Sequence, residues 1–131
     1  MLIDGALWLC TAVSAGLTSW LSLGASPPGT SAFPHADKVE HLLAYAVTTS
    51  LFMLAAVWRP GRGEGVVWGL RKGVLPAAVT VAIVIEIAQG PIGREREVAD
   101  AVAGGLGALV AVSGNVALRR RVVASTTPSV S

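Results

Sequence analysis

Four long apolar stretches, separated by breaks rich in Pro and Gly, constrain this chain more than any other feature. They cover roughly residues 5–24, 38–58, 73–89 and 98–118, and each approaches the roughly 20 apolar residues that cross a bilayer core. Alternation at period two is absent, so helices are the only spanning structures available. The sequence predicts an all-α polytopic membrane protein, with four transmembrane helices in a compact bundle over residues 1–121.

The composition favours a membrane protein over a soluble domain. Apolar residues make up 53% of the chain and charged residues 14%, whereas a soluble domain is about 25% charged. The net charge is +2 and the basic residues lie outside the apolar stretches, so no nucleic acid partner is expected. The single cysteine, Cys10, excludes an internal disulfide and a Cys-based zinc motif.

The basic residues predict the orientation of the bundle. They concentrate between the second and third spans and after the fourth, at Arg59, Arg62, Arg71, Lys72, Arg119, Arg120 and Arg121. By the positive-inside rule this loop and both termini are cytoplasmic. Residues 122–131 are small and polar, and we expect them to form a disordered tail.

The first span has a second interpretation as a cleaved signal peptide, because Leu23-Gly24-Ala25 precedes a Pro-rich stretch. Its beginning contains Asp4 and no Lys or Arg. Its apolar stretch also exceeds the roughly 7–15 residues of such signals. We therefore expect the first helix to remain in the protein.

Several polar side chains lie inside the apolar stretches. A charge at the centre of a membrane helix costs roughly 2.5–3.5 kcal/mol on insertion scales. Glu86 lies among Val, Ile and Ala and must find a partner or be protonated; Lys38, His41 and Arg94 are available. The predicted pocket comprises Asp37, Lys38, His41, Tyr45, Glu86, Gln89, Arg94 and Asp100.

Depth and helical face permit these side chains to meet. At 1.5 Å per residue, His41 lies roughly 6 Å and Tyr45 roughly 12 Å below Asp37. Glu86 lies roughly 4–5 Å below the outer end of the third span, and Asp100 about 3 Å below the start of the fourth. Residues four apart also share one helical face. All of these groups therefore fall in the outer third of the membrane.

Structural roles for the same residues stay open at this point. Asp37 can cap the second helix, His41 can be a neutral core histidine, and the Tyr45 hydroxyl can bond a backbone carbonyl. The Arg94–Glu97 run can form local ion pairs in a loop. In the fourth span, Gly104 and Gly107 belong to a stripe of small residues that lets helices approach closely, within the chain or in an oligomer.

The polar residues follow one pattern: Asp37-Lys38-x-x-His41-x-x-x-Tyr45, then Glu86-x-x-Gln89, Arg94, and Asp100 with Gly107 seven residues on. Over roughly residues 34–113 the chain resembles the VanZ-like family of small bacterial membrane proteins. The resemblance implies a multi-pass protein of the bacterial cytoplasmic membrane, in a family whose founding member is linked to resistance against teicoplanin. Two positions depart from it: Gly104 stands where members typically carry Asn, and Arg96 can replace Arg94.

The leading functional hypothesis is a binding or accessory module of the cell envelope. Lys38 and Arg94 would hold an anionic group, such as the phosphate of a lipid-linked precursor or the carboxylate of a lipopeptide. Glu86, His41 and Asp100 would shape the pocket and position those cations. The lipid bilayer is the other expected partner.

Two other classes of function remain. In an enzyme, His41 would be the general base or acid, oriented by Asp37 or Glu86, with Tyr45 steadying an anionic intermediate. The sequence has no nucleophile elbow and no His-x-x-x-His, and one His with two carboxylates is a weak metal signal, so no catalytic residue, metal or cofactor is predicted. A proton-linked transporter using His41 and Glu86 lacks an inverted repeat and a relay across the bilayer.

Overall fold

Four helices make up the computed structural model, which describes residues 2–23, 36–58, 64–89 and 98–126. They are α1 (Leu2–Leu23), α2 (Ala36–Val57), α3 (Glu64–Gln89) and α4 (Val98–Thr126). Within these ranges there is no strand, so the all-helical prediction is confirmed.

Two of the helices, at Ala36–Val57 and Val98–Val122, are long and apolar enough to cross a membrane. Large apolar side chains are also exposed on every helix: Trp20 of α1 is 75% exposed, and Val39, Val84 and Val110 are each more than half exposed. Monomeric soluble proteins rarely expose apolar surface on this scale. The outer surface of the helices therefore suits a lipid environment.

The pair α2 and α4 forms the centre of the bundle, with α1 packed on α2 and α3 packed mainly on α4. Gly104 and Gly107 of α4 belong to this central contact, and Ala108 next to Gly107 is fully buried. A Cβ atom at Gly107 would overlap the backbone carbonyl of Leu42. The two helix backbones therefore approach closely at this point, as expected for small residues at a membrane helix interface.

The apolar core lies toward the C-terminal end of α2. Met53, Val57 and Val67 are almost completely buried there, and Val74 of α3 packs with them. Trp58, just after α2, donates its indole N–H to the Asn115 side-chain oxygen of α4. This partly buried polar contact links α2 to α4 at the end opposite to His41.

Helices α3 and α4 are longer than the apolar stretches predicted. Helix α3 begins at Glu64 and not near residue 73, so Arg71 and Lys72 are helical, with the Lys72 ammonium 4.6 Å from the centre of the Trp68 ring. Helix α4 continues to Thr126, beyond the predicted boundary of the tail at residue 121. Hydropathy marks the apolar width of a membrane, whereas Arg, Lys, Leu and Ala continue a helix into water at little cost.

We predict that Gly107→Ala lowers the free energy of unfolding by about 1–3 kcal/mol, because the added methyl group meets backbone that cannot rotate away. The control is Gly114→Ala in the same helix, where a Cβ meets nothing within 4 Å. That change should be neutral or stabilise by up to about 1 kcal/mol through helix propensity. Unfolding in detergent micelles measures both. Equal effects would contradict the close approach of α2 and α4.

Candidate functional site

Three helices bring one imidazole and two carboxylates together at one end of the bundle. The second turn of α2 supplies His41, the first turn of α4 supplies Asp100, and the last turn of α3 supplies Glu86. One potential ligand atom from each side chain lies within 4.8 Å of the others. Glu86 is 8% exposed and Asp100 is 7% exposed, so both carboxyl groups are buried. We call these three residues the acid–histidine cluster.

Lys38 places a positive charge at the edge of this cluster. Its ammonium lies 3.2 Å from Asp37 Oδ2 and 3.5 Å from Asp100 Oδ1. The first contact is a hydrogen bond between sequence neighbours, and the second joins α2 to α4. Lys38 thus compensates part of the buried charge of Asp100, which would otherwise be costly in a low dielectric.

The hydrogen bond of His41 defines its tautomer. Nδ1 lies 2.9 Å from the backbone carbonyl oxygen of Asp37, one helical turn earlier. A carbonyl oxygen only accepts hydrogen bonds, so Nδ1 carries a proton. In the neutral imidazole, Nε2 therefore carries the lone pair. Nε2 is buried and has no hydrogen-bond partner among the residues that the structure describes.

Tyr45 lies one turn beyond His41 and is 5% exposed. Its hydroxyl is buried without a hydrogen bond to any described residue, and it interacts electrostatically with Glu86. Its ring covers Gly104, where a Cβ atom would lie 3.1 Å from Tyr45 Cδ2. An Asn at this position would have to displace the ring, so Gly104 and the packing of Tyr45 belong together in this chain.

Gln89 has a structural contact that the sequence did not predict. Its side-chain Nε2 donates to the backbone carbonyl of Ser22 at 2.8 Å, and the residue is only 2% exposed. This bond joins the end of α3 to the end of α1. Arg94, the other cation predicted for the pocket, lies outside the described residues.

An apolar cavity of about 440 Å³ adjoins the cluster between α1, α2 and α3. Tyr45 and Ile85 line it near the cluster, and Phe52 and Gly69 line it further along the bundle. Small residues leave this space open, among them Ala15, Gly73, Ala77 and Ala78. The cavity was not predicted, because a gap between helices depends on their separation, and no periodicity in one helix reports that distance.

The wall of the cavity formed by α1 and α2 contains several hydroxyl groups, among them those of Thr11, Thr18 and Thr48. Thr48 shares a hydrogen bond of 2.7 Å with Ser14 behind this wall, and Thr18 lies 3.4 Å from the same Thr48 hydroxyl. Thr11 bonds back to the carbonyl of Leu7 at 2.8 Å. Most of these hydroxyls are satisfied within the protein, so the cavity presents a largely apolar surface.

Comparisons with protein-family models, with curated proteins and with solved structures find no match for this chain.

The ion pair between Lys38 and Asp100 predicts thermodynamic coupling between α2 and α4. In a double-mutant cycle with Lys38→Met and Asp100→Asn, unfolding in detergent micelles should give a coupling energy of about 0.5–3 kcal/mol. A matched cycle combines Lys38→Met with Glu40→Gln, since Glu40 is an exposed acid on the same helix. Its coupling energy should be near zero. Equal coupling in the two cycles would contradict a specific contact between Lys38 and Asp100.

Proposed function

We propose that this chain is a VanZ-like, four-span protein of the bacterial cytoplasmic membrane, whose outward-facing polar pocket binds an anionic, lipid-linked ligand of the cell envelope. The observation that supports the proposal is the convergence of Lys38, His41, Glu86 and Asp100 beside an apolar cavity. In this role the protein is an accessory module of the envelope, and the family resemblance adds a link to glycopeptide sensitivity of the teicoplanin type.

The shape of the site suits a ligand with a charged head and an apolar chain. Tyr45 belongs to both parts, because it lines the cavity while its hydroxyl is buried beside the cluster. Cavities of about 300–1,000 Å³ with a few polar groups are typical of small-ligand sites. The head group of the ligand would lie at Lys38, and its apolar chain would follow the cavity between α1 and α3.

Electrostatics set a condition on this proposal. The described part of the pocket has one ammonium, Lys38, and it already pairs with Asp37 and Asp100. An incoming phosphate or carboxylate must compete with those acids for Lys38. A further positive charge near the cluster, from Arg94 or from a bound cation, would therefore strengthen the binding of an anion.

A membrane-embedded enzyme acting on a lipid-linked substrate is the second candidate. It is favoured by the Nε2 lone pair of His41, which can take a proton while Asp37 holds the ring orientation. No described residue near His41 has the arrangement of an activated nucleophile, so no catalytic residue is assigned. A proton-linked transporter is less favoured, because the acid–histidine cluster lies at one end of the bundle.

An oligomer contact through α4 is constrained by the packing within the chain. Gly104 and Gly107 both face α2 and are buried. A second copy would therefore meet the outer face of α4, where Gly114 is exposed.

The proposed topology predicts opposite accessibility for two of the loops. In a Cys10→Ser background, Ile92→Cys should react with a membrane-impermeant maleimide in spheroplasts, because the loop after α3 would be periplasmic. Arg62→Cys should react only after permeabilisation, because the loop after α2 would be cytoplasmic. Labelling of both cysteines from the same side would contradict four spans.

Ligand binding is tested with purified full-length protein in detergent and a polyprenyl phosphate as the probe. Lys38→Ala should weaken binding about tenfold or more, because a charge-assisted hydrogen bond contributes about 1.5–3 kcal/mol. The control is Lys72→Ala, which removes an exposed ammonium that lies over Trp68. Equal affinities of Lys38→Ala and the wild type would overturn the role of Lys38.

A second variant distinguishes the binding of the ligand's head group from the binding of its polyprenyl chain. Gly73→Phe fills the cavity at a position where a Cβ meets nothing within 4 Å. It should weaken the binding of polyprenyl phosphate and leave that of inorganic phosphate unchanged. If both probes bind Gly73→Phe as they bind the wild type, the cavity does not hold the polyprenyl chain of the ligand.

A further inference from the structure

We infer that His41, Glu86 and Asp100 form a binding site for a divalent cation of the Zn²⁺ and Mn²⁺ class. The spacing of these residues in the sequence resembles no metal motif, because the three ligands come from three different helices. Only the packing of α2, α3 and α4 brings the ligand atoms together, with none more than 4.8 Å from another.

The separations are close to those of a metal site. Ligand atoms at about 2.0–2.2 Å from a tetrahedral Zn²⁺ lie about 3.4 Å from one another. The observed limit of 4.8 Å means that the ligand atoms must approach one another by up to about 1.4 Å, which side-chain rotations can supply. Both carboxyl groups are already buried, so most of the desolvation that a metal site requires has occurred during folding.

The tautomer of His41 provides an independent argument. The backbone carbonyl of Asp37 holds the proton on Nδ1 and leaves the Nε2 lone pair buried without a described partner. Histidines that bind metals commonly donate their other N–H to a carbonyl in this way. The Nε2 lone pair and the carboxylate oxygens of Glu86 and Asp100 are all potential metal ligands, so a cation among them could be bound by all three residues.

The surrounding residues complete a second layer around the site. The Lys38 ammonium, 3.5 Å from Asp100 Oδ1, orients that carboxylate. The buried Tyr45 hydroxyl has no hydrogen-bond partner among the described residues and interacts electrostatically with Glu86. It is therefore available to donate to Glu86 or to a water molecule on the metal. Such supporting groups fix the geometry of the ligands in known metal sites.

The donor set selects the type of cation. Mg²⁺ and Ca²⁺ prefer oxygen ligands alone, whereas an imidazole nitrogen suits Zn²⁺ and other transition metals. Lys38 lies beside the carboxylates of Asp37 and Asp100, and a divalent cation among His41, Glu86 and Asp100 would add positive charge to this acid-rich site. Three protein ligands also leave a coordination position open, where an anionic oxygen could bind.

This inference does not rest on the proposed ligand, and it can fail separately. A metal would explain how a pocket rich in carboxylates accepts a phosphate, since the open position would attract the phosphate oxygen. Metal binding is measured directly, without any lipid, so a metal-free protein that still binds polyprenyl phosphate would refute only the metal site.

The test uses full-length protein in detergent, purified without a polyhistidine tag, stripped with a chelator and then dialysed against micromolar Zn²⁺ or Mn²⁺. Elemental analysis should find about one ion per chain for the wild type. His41→Gln, Glu86→Gln and Asp100→Asn should each lower the affinity at least about tenfold, since even outer-shell changes cost that much. The X-ray absorption spectrum of the bound metal should show one imidazole nitrogen ligand and oxygen ligands.

Two matched controls distinguish this site from adventitious binding. His35→Gln removes the only other histidine of the chain, and Glu40→Gln removes an exposed acid next to His41 on α2. Both should bind metal as the wild type does. Added Zn²⁺ should also raise the thermal unfolding temperature of the wild type and of the controls, but not that of His41→Gln.

Three results would overturn the inference: a stripped wild type that takes up neither ion, equal affinity in His41→Gln and the wild type, or loss of binding in His35→Gln. Because one variant can fail to fold, circular dichroism and gel filtration accompany each measurement. The spectrum of the wild type does not depend on any variant, and ligation without nitrogen would also refute the site.

Discussion

The cost of burying charge in an apolar bundle governs this structure. Glu86 and Asp100 are both buried among apolar residues, and an isolated ionised carboxylate would be unstable there. Lys38 compensates the charge of Asp100 at the point where His41 and the two acids meet. That requirement constrains the depth and rotation of α2, α3 and α4 relative to one another, because a different rotation of any of these helices would separate the charged groups.

The close packing of α2 and α4 makes this meeting geometrically feasible. Gly107 allows the backbone of α4 to touch that of α2 at Leu42, and Gly104 accepts the ring of Tyr45. Asp100 lies one turn before Gly104, so the same contact brings it within 3.5 Å of Lys38. At the other end, the bond from Trp58 to Asn115 holds the same register. Steric fit and charge compensation therefore favour the same packing of α4 against α2.

Helix α3 packs less extensively on α1 and α2, and a cavity lies between these three helices. Small residues on these helices leave a cavity of about 440 Å³, lined near the cluster by Tyr45 and Ile85. Gln89 bridges α3 to α1 through Ser22 beyond this opening. Tyr45 lines the apolar cavity and lies beside the acid–histidine cluster, and this adjacency is the basis for proposing an amphiphilic ligand.

The amino-acid sequence by itself determined the four helices and their order, because hydropathy and the Pro- and Gly-rich breaks act locally. It also placed His41 and Tyr45 on one helical face, since that follows from helical periodicity. Only the tertiary structure decided which partners these side chains meet. The tautomer of His41, the bond of Gln89 to Ser22 and the cavity beside Tyr45 depend on distances between helices, and those distances follow from how the whole set of side chains packs.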